Sequence, residues 1–149
     1  MKDKIDIIEV KTDEHFQKAF EIRKKVFVEE QNVPAENEID AIDSEAIHIL
    51  AFHGDEAAGV ARIFSRKENP SEAWIGRVAV LKKFRKMGLG KLILKRCLVI
   101  IESKKCFNAI RLHSQKYIAP LYIQFGFVPI GEPFFEEGIE HLDMIKRVS

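Results

Sequence analysis

Cysteine is scarce in this chain: Cys97 and Cys106 are the only two among 149 residues. Two thiols with no companion Cys or His at metal-ligand spacing exclude a zinc finger or ribbon, and no metal site is expected. Cys97 falls on an apolar stripe and Cys106 just ahead of a β-like run, so both are expected as reduced residues in or near the core. Long apolar runs are also missing. The most hydrophobic stretches are interrupted by charge, as at Lys95-Arg96, and Met1 to Asp6 carries no apolar leader, so neither a membrane span nor a secretion signal is expected. A reducing cytoplasm is the expected compartment. No sign of charge dominates either: 24 Lys and Arg face 23 Asp and Glu, a formal net charge of +1. That balance argues against a nucleic-acid protein, which carries a basic domain or face. The chain also lacks repeats, low-complexity tracts and linkers. With 46% hydrophobic and 32% charged residues, residues 1–149 are expected to form one domain with a sizeable core.

What is present is concentrated between Trp74 and Ile101. Trp74 to Val80 reads as a strand, and Leu89, Leu92, Ile93, Cys97, Ile100 and Ile101 have helical spacing. Between them lies a basic turn with two glycines, Arg85-Lys86-Met87-Gly88-Leu89-Gly90-Lys91. A strand that enters a helix through such a turn aims the free N–H groups of the helix, and its positive dipole end, above the strand's terminus. This is an anion site suited to phosphate. Gly88 and Gly90 remove side chains where a pyrophosphate would touch backbone and permit φ values closed to other residues. Lys82, Lys83, Arg85, Lys86 and Lys91 crowd the same turn, and in a neutral protein such a cluster suits a small polyanion better than a duplex. The spacing is not that of a P-loop, and the third glycine of a dinucleotide fingerprint is missing.

Arg85-Lys86-Met87-Gly88-Leu89-Gly90 fits Arg/Gln-x-x-Gly-x-Gly/Ala and resembles the acetyl-coenzyme A pyrophosphate loop of the GNAT N-acetyltransferase superfamily. The preceding Val78-Ala79-Val80 looks like that family's central strand, and Tyr122-Ile123-Gln124-Phe125-Gly126-Phe127 matches its downstream Tyr-x-x-x-Gly-Phe element. Val26 to Pro34, Asp40-x-x-Asp43-x-x-Ala46-x-His48 and Gly138-Ile139-Glu140-His141 look like the ElaA-like branch. The resemblance covers nearly the whole chain. It implies an α/β (α+β) GNAT acyl-CoA N-acyltransferase fold, with helices flanking a mixed sheet that splays between its fourth and fifth strands.

The element order agrees. A strand over 5–10 is followed by a helix from Thr12 to about Gln31, with Thr12 or Asp13 as N-cap and Phe16, Phe20, Arg23 and Phe27 near one stripe. Gln31 to Glu45 reads as a loop, with room for a short helical turn, whose acids Glu36, Glu38, Asp40, Asp43 and Glu45 are expected in solvent. Acceptor recognition is the second reading of those acids. Strand-like runs at 46–53 and 57–65 flank Gly54-Asp55-Glu56, and 66–71 is a turn. A strand at 107–113, a short helix at 118–125 and strands at 127–130 and 139–148 complete the series.

The resemblance implies acetyl-CoA as co-substrate, bound by Val78, Ala79 and Val80 and by Arg85, Lys86, Met87, Gly88, Leu89, Gly90 and Lys91. Its pantetheine arm would add along the fourth strand and its pyrophosphate would sit on the turn. Tyr122 matches the family's acid, which protonates the departing thiolate; Tyr117 is expected to be structural. The family's frequent glutamate on the fourth strand is absent, since Trp74, Gly76, Arg77 and Ala79 hold the candidate positions. His113, His141, Glu29, Glu30 and His48 are therefore the open candidates for the base, a water chain to bulk solvent is the alternative to all of them, and Phe134, Phe135 and Glu140 lie where an acceptor pocket could form. The expected partners are acetyl-CoA and a small amine or peptide acceptor, with a homodimer left open, and neither nucleic acid nor membrane is expected. The expected function is N-acetyl transfer to a primary amine. The alternative is a non-catalytic CoA-binding or interaction module on the same fold.

Overall fold

Among the described residues, period-two and period-3.6 patterns in the sequence resolve into seven strands with helices on both faces of their sheet. The computed structural model describes residues 4–148, so the reading of Met1, Lys2 and Asp3 lies outside the described residues. In chain order the elements are β1 (Ile5–Glu9), α1 (Asp13–Arg23), a π-helical segment (Lys24–Glu30), α2 (Ala35–Glu38), a 3-10 turn (Ala41–Ser44), β2 (Ile47–His53), β3 (Glu56–Arg66) and β4 (Asn69–Val80). A second 3-10 turn (Lys82–Phe84), α3 (Leu89–Lys104), β5 (Ala109–Gln115), a third such turn (Lys116–Ile118), α4 (Ala119–Gln124), β6 (Val128–Glu136) and β7 (Ile139–Arg147) follow. The sheet order is β1-β2-β3-β4-β5-β7-β6, and β4 with β5 is the parallel pair.

Two cores hold the sheet. On one face α3 buries Leu89, Ile93, Leu94, Cys97, Ile100 and Ile101 against apolar strand residues such as Ile49, Ile63, Ile75 and Ile110. Close approach of helix to sheet depends on Gly59, where a Cβ would stand 2.7 Å from Ile93 Cδ1. On the other face Ala19, Ile22 and Val26 cover Leu50, Val60 and Ala79. Thr12 caps α1 as expected, its Oγ1 accepting from the His15 N–H at 3.2 Å.

Several expectations need correction. The first helix has the expected span, but from Lys24 it widens to π geometry, with Gln31 N donating to Val26 O at 3.2 Å. Asn69 pairs with Arg66, so β4 begins inside the segment read as a turn. β6 runs to Glu136 rather than Ile130, carried past Gly131 by a register irregularity between Ile130 and Phe134. Leu92 is 39% exposed on the outer side of α3. Cys106 is exposed rather than near-core, because it follows the left-handed C-cap Lys105 in the connection to β5.

Two irregularities in β4 shape what lies above it. Its pairing with β5 covers only Glu72 to Ile75 against Ala109 to Leu112, after which the strands diverge. On its other edge Gly76 pairs with Arg62 and Ala79 with Val60, so Arg77 and Val78 together oppose Ala61. This is a β-bulge, with Arg77 at φ 51° in the left-handed region. Beyond Ile75, β4 therefore bends away with one edge unpaired.

Candidate active site

The divergence of β4 and β5 opens a cleft of about 730 Å³. Val78, Ala79 and Val80 line it, and their backbone groups on the β5 side have no strand partner. At its mouth stands the start of α3, where Gly88 at φ 79° is an N-cap without a side-chain cap. The first intrahelical bond runs from Leu92 N to Gly88 O at 3.2 Å, so the N–H groups of Leu89, Gly90 and Lys91 have no partner within the helix. A Cβ at either Gly88 or Gly90 would meet nothing within 4 Å. Gly88 needs glycine for its φ, but Gly90 is helical, and neither φ nor packing within the chain calls for glycine there. An open cradle above uncommitted N–H groups and a positive helix end fits a phosphate group.

The remaining turn residues are placed less uniformly. Arg85 lines the cleft, but its Nε donates to Val80 O at 2.8 Å and its NH2 to Glu30 Oε1 at 2.7 Å, so it straps the turn to β4 and to the π-helical segment. Lys86, Met87 and Lys91 are exposed. Leu89 is buried in the core and can offer a ligand only its backbone.

Across the cleft three of the acids expected in solvent, Glu38, Asp40 and Asp43, are instead part of an inward-facing ionic lattice. Arg23, 1% exposed, donates from Nε to Glu38 Oε2 at 2.7 Å and from NH1 to Asp43 Oδ1 at 2.7 Å. Arg62 NH1 reaches Asp40 Oδ1 at 2.7 Å and Asp43 Oδ1 at 2.8 Å. Arg77, turned inward by the bulge, donates to Glu38 O at 2.8 Å and approaches Glu38 Oε2 at 3.2 Å. Three cations and three carboxylates thus cancel, which is what permits their burial. Burial pushes the Asp43 carboxyl up, but hydrogen bonds from Arg23, the Asp40 N–H and Arg62 outweigh it and hold Asp43 well below the usual range. Asp40 is lowered too: burial opposes ionisation there, and Arg62 and Arg77 overcome it. Glu36 and Glu45 are exposed as expected. The sequence signal for this lattice is a charge placed among apolar residues, Arg23 on its helical stripe and Arg62 within Ala57 to Phe64.

The catalytic candidates divide cleanly. Tyr122 is 7% exposed in the cleft wall, and its hydroxyl donates to no group among the described residues. Burial, with a contribution from the neighbouring Cys97, pushes its phenol up to about 12. Burial likewise pushes the Cys97 thiol up to about 12, which leaves it inert. Glu30, His113 and His141 line the cleft, whereas Glu29 and His48 do not; His48 is buried with Nε2 on Asp43 O at 2.9 Å. Tyr117, expected to be structural, is 75% exposed at the cleft rim. Phe134 stands beside the site between His113 and His141, while Phe135 is 72% exposed and outside it. Glu140, also outside the cleft lining, faces Lys116 at 3.5 Å. Among the described residues no cluster of His, Cys, Asp or Glu could hold a metal ion, and no helix is long and apolar enough to cross a membrane.

An acetyltransferase (GNAT) domain profile matches residues 8–148. The chain belongs to the GNAT acetyltransferase family. Its relatives include the uncharacterized N-acetyltransferase YjcF of Bacillus subtilis, 35% identical over 91% of this chain and 95% of that one. Protein ElaA of Escherichia coli is 30% identical over 86% of this chain and 84% of its own. The crystal structure of E. coli ElaA superposes with a TM-score of 0.87 over 97% of this GNAT chain and all of that one, at 27% identity. An acyl-CoA N-acyltransferase from Pseudomonas aeruginosa superposes with a TM-score of 0.86 over 96% and 99%, at 25% identity. The splayed mixed sheet is thus the GNAT fold, and the resemblance to the ElaA-like branch is borne out.

Proposed function

We propose that this protein transfers an acetyl group directly from acetyl-CoA to a primary amine of a small molecule or peptide. The observation that carries the reading is one cleft in which an unpaired β4 edge leads to the uncapped start of α3 beneath two open glycines. In this reading the backbone of Val78 to Val80 receives the pantetheine arm as an added strand, and the N–H groups from Gly88 to Lys91 receive the pyrophosphate. Arg85 holds the turn in register through Val80 O and Glu30. Acetyl-CoA supplies a thioester carbonyl carbon for the amine to attack. The β4 amide near Val80 donates to the oxygen that gains charge, and Tyr122 donates to the departing sulfur. In this reading the reaction runs in the cytoplasm, with which the two free cysteines are consistent.

With its phenol pushed up to about 12, Tyr122 is a weaker acid than an ordinary thiol, so full proton transfer to a free thiolate is uphill. Tyr122 therefore acts while the C–S bond breaks, as a neutral donor that its burial keeps protonated.

One observation favours the alternative of a non-catalytic CoA-binding module: Gly76 and Arg77 stand on β4 where a carboxylate base is frequent in the family. A panel of spermidine, free amino acids, an aminoglycoside and a peptide N-terminus, assayed for thiol release from acetyl-CoA, separates the readings. Amine-dependent release is expected. Tight acetyl-CoA binding with no release from any amine would favour the module.

A further inference from the structure

The site lacks a carboxylate on β4, and a different pair of side chains stands where the strands part. Ile75 and Leu112 form the last β4–β5 pair, so the next β5 residue, His113, sits at the vertex of the cleft. Its ring is clamped edge-on between Trp74, with centroids 5.1 Å apart, and Phe134, at 4.8 Å. From β6, Glu136 Oε1 lies 3.1 Å from His113 Nδ1. An ionised carboxylate only accepts hydrogen bonds, so Nδ1 carries the proton in this contact, and the neutral ring keeps a bare lone pair on Nε2. Nε2 has no hydrogen-bond partner among the described residues, and the imidazole is about one-third exposed to the cleft, 30% by side-chain area.

We infer that His113, oriented by Glu136, is the base that takes the proton from the acceptor amine. The inference rests on the acetyl-transfer reading above. As the amine nitrogen bonds to the thioester carbonyl carbon, its proton passes to His113 Nε2, and the imidazolium formed is stabilised by Glu136. The C–S bond then breaks with its electron pair on sulfur, which takes a proton from Tyr122. Solvent removes the proton from His113 and restores that of Tyr122, so the products are an amide and the free thiol. Nothing is oxidised or reduced.

The surroundings suit this assignment. Glu136 is held below the ordinary carboxylate range, chiefly by the hydrogen bond it accepts from His113, which outweighs the opposing effect of burial. It therefore stays an acceptor. On β7, Asp143 lies opposite His113 but is bound to Arg111 through both oxygens, at 2.8 and 2.7 Å. His141, also on β7, is the rival base. Its Nδ1 donates to Ile139 O at 2.7 Å, its ring lies against Phe134, and no carboxylate among the described residues holds it.

Two measurements test the assignment. In long-range nitrogen-15 NMR spectra of the whole protein, the neutral His113 ring is expected to carry its proton on Nδ1, and Glu136→Gln is expected to shift it towards Nε2. An Nε2–H ring in the wild type would overturn the proposal. In kinetics, 2-phenylethylamine joins the amine panel because the walls are aromatic, and the best acceptor is used. His113→Ala is expected to lower kcat on the order of 10²–10⁴-fold with KM for acetyl-CoA unchanged. It should also be partly rescued by added imidazole. A wild-type kcat in His113→Ala, or a loss of that size in His141→Asn with His113→Ala unaffected, would overturn the assignment while leaving the transfer reading intact. Absence of turnover by the wild type with every amine would overturn both.

Discussion

The two walls of the cleft are built from different materials. The wall from Val78 to Lys91, which we propose binds the donor and call the donor wall, presents backbone: an unpaired strand edge, free helix N–H groups and glycines facing open space. The opposite wall, which we propose faces the acceptor and call the acceptor wall, presents side chains drawn from the 24–45 segment and strands β3 to β7. Backbone recognition needs only a turn of the right conformation and room for a ligand, so it is local in sequence. Side-chain recognition needs distant residues to converge and their charges to cancel in the interior. The donor wall should therefore tolerate substitution in folding but not in binding, and the acceptor wall should fail in folding first.

The largest effect is expected from the ionic lattice. Arg23→Ala leaves Glu38 and Asp43 buried without their main partner and should destabilise the protein by about 3–5 kcal/mol, read by urea denaturation. A loss below about 1 kcal/mol would erase the contrast between the walls. The lattice also sets a pH dependence. Asp40 and Asp43 are held below their ordinary value, so the unfolded chain binds their protons more tightly. Their contribution should be complete above about pH 4 and lost progressively as pH falls further. Tm scans from pH 6 down to pH 2 check this.

Next in size is Tyr122, which belongs to the cleft and also to the α3-side core. Tyr122→Phe keeps the ring and should lower kcat about 10²-fold, with the apparent constant for acetyl-CoA near wild type. Pre-steady-state kinetics must first show that product release does not limit the wild type. An unchanged kcat would return Tyr122 to a purely packing role.

The smallest stability change is also the most informative about the donor wall. Gly90 is helical with open space around it, so Gly90→Ala should raise the stability of the ligand-free protein by up to about 1 kcal/mol. Calorimetry should show the same substitution binding acetyl-CoA about as tightly as the wild type, since the loop pattern admits alanine at that position and a Cβ there meets open space. Gly88→Glu, adding bulk and charge at the phosphate position, should remove the thermal shift that acetyl-CoA gives the wild type. A folded Gly88→Glu that keeps the full shift would remove the loop from the account.

This contrast also explains what the sequence discloses. The Arg85 to Gly90 turn, the strand before it and the helix after it are contiguous, so their arrangement follows from spacing alone, as does the order of the strands. Tyr122 is legible through a short local motif. The lattice is not, because Glu38, Asp40 and Asp43 sit in a polar stretch that looks solvated until Arg23, Arg62 and Arg77 arrive from three other elements. Arg77 reaches it only through a bulge whose left-handed residue is not glycine, and no local pattern announces that. His113 and Glu136 are 23 positions apart and meet across an intervening strand, so the sequence supplies the histidine as a candidate and leaves its partner unseen.

The central claim is that the donor wall reads phosphates through backbone N–H groups and a helix terminus. Calorimetric titration of the wild type with acetyl-CoA and with acetyl-pantetheine, at low and at physiological salt, tests it most directly. Acetyl-CoA should bind more tightly, and the difference should narrow as salt screens the phosphate contacts. Equal affinities at both salt concentrations, or binding of neither compound, would contradict the account.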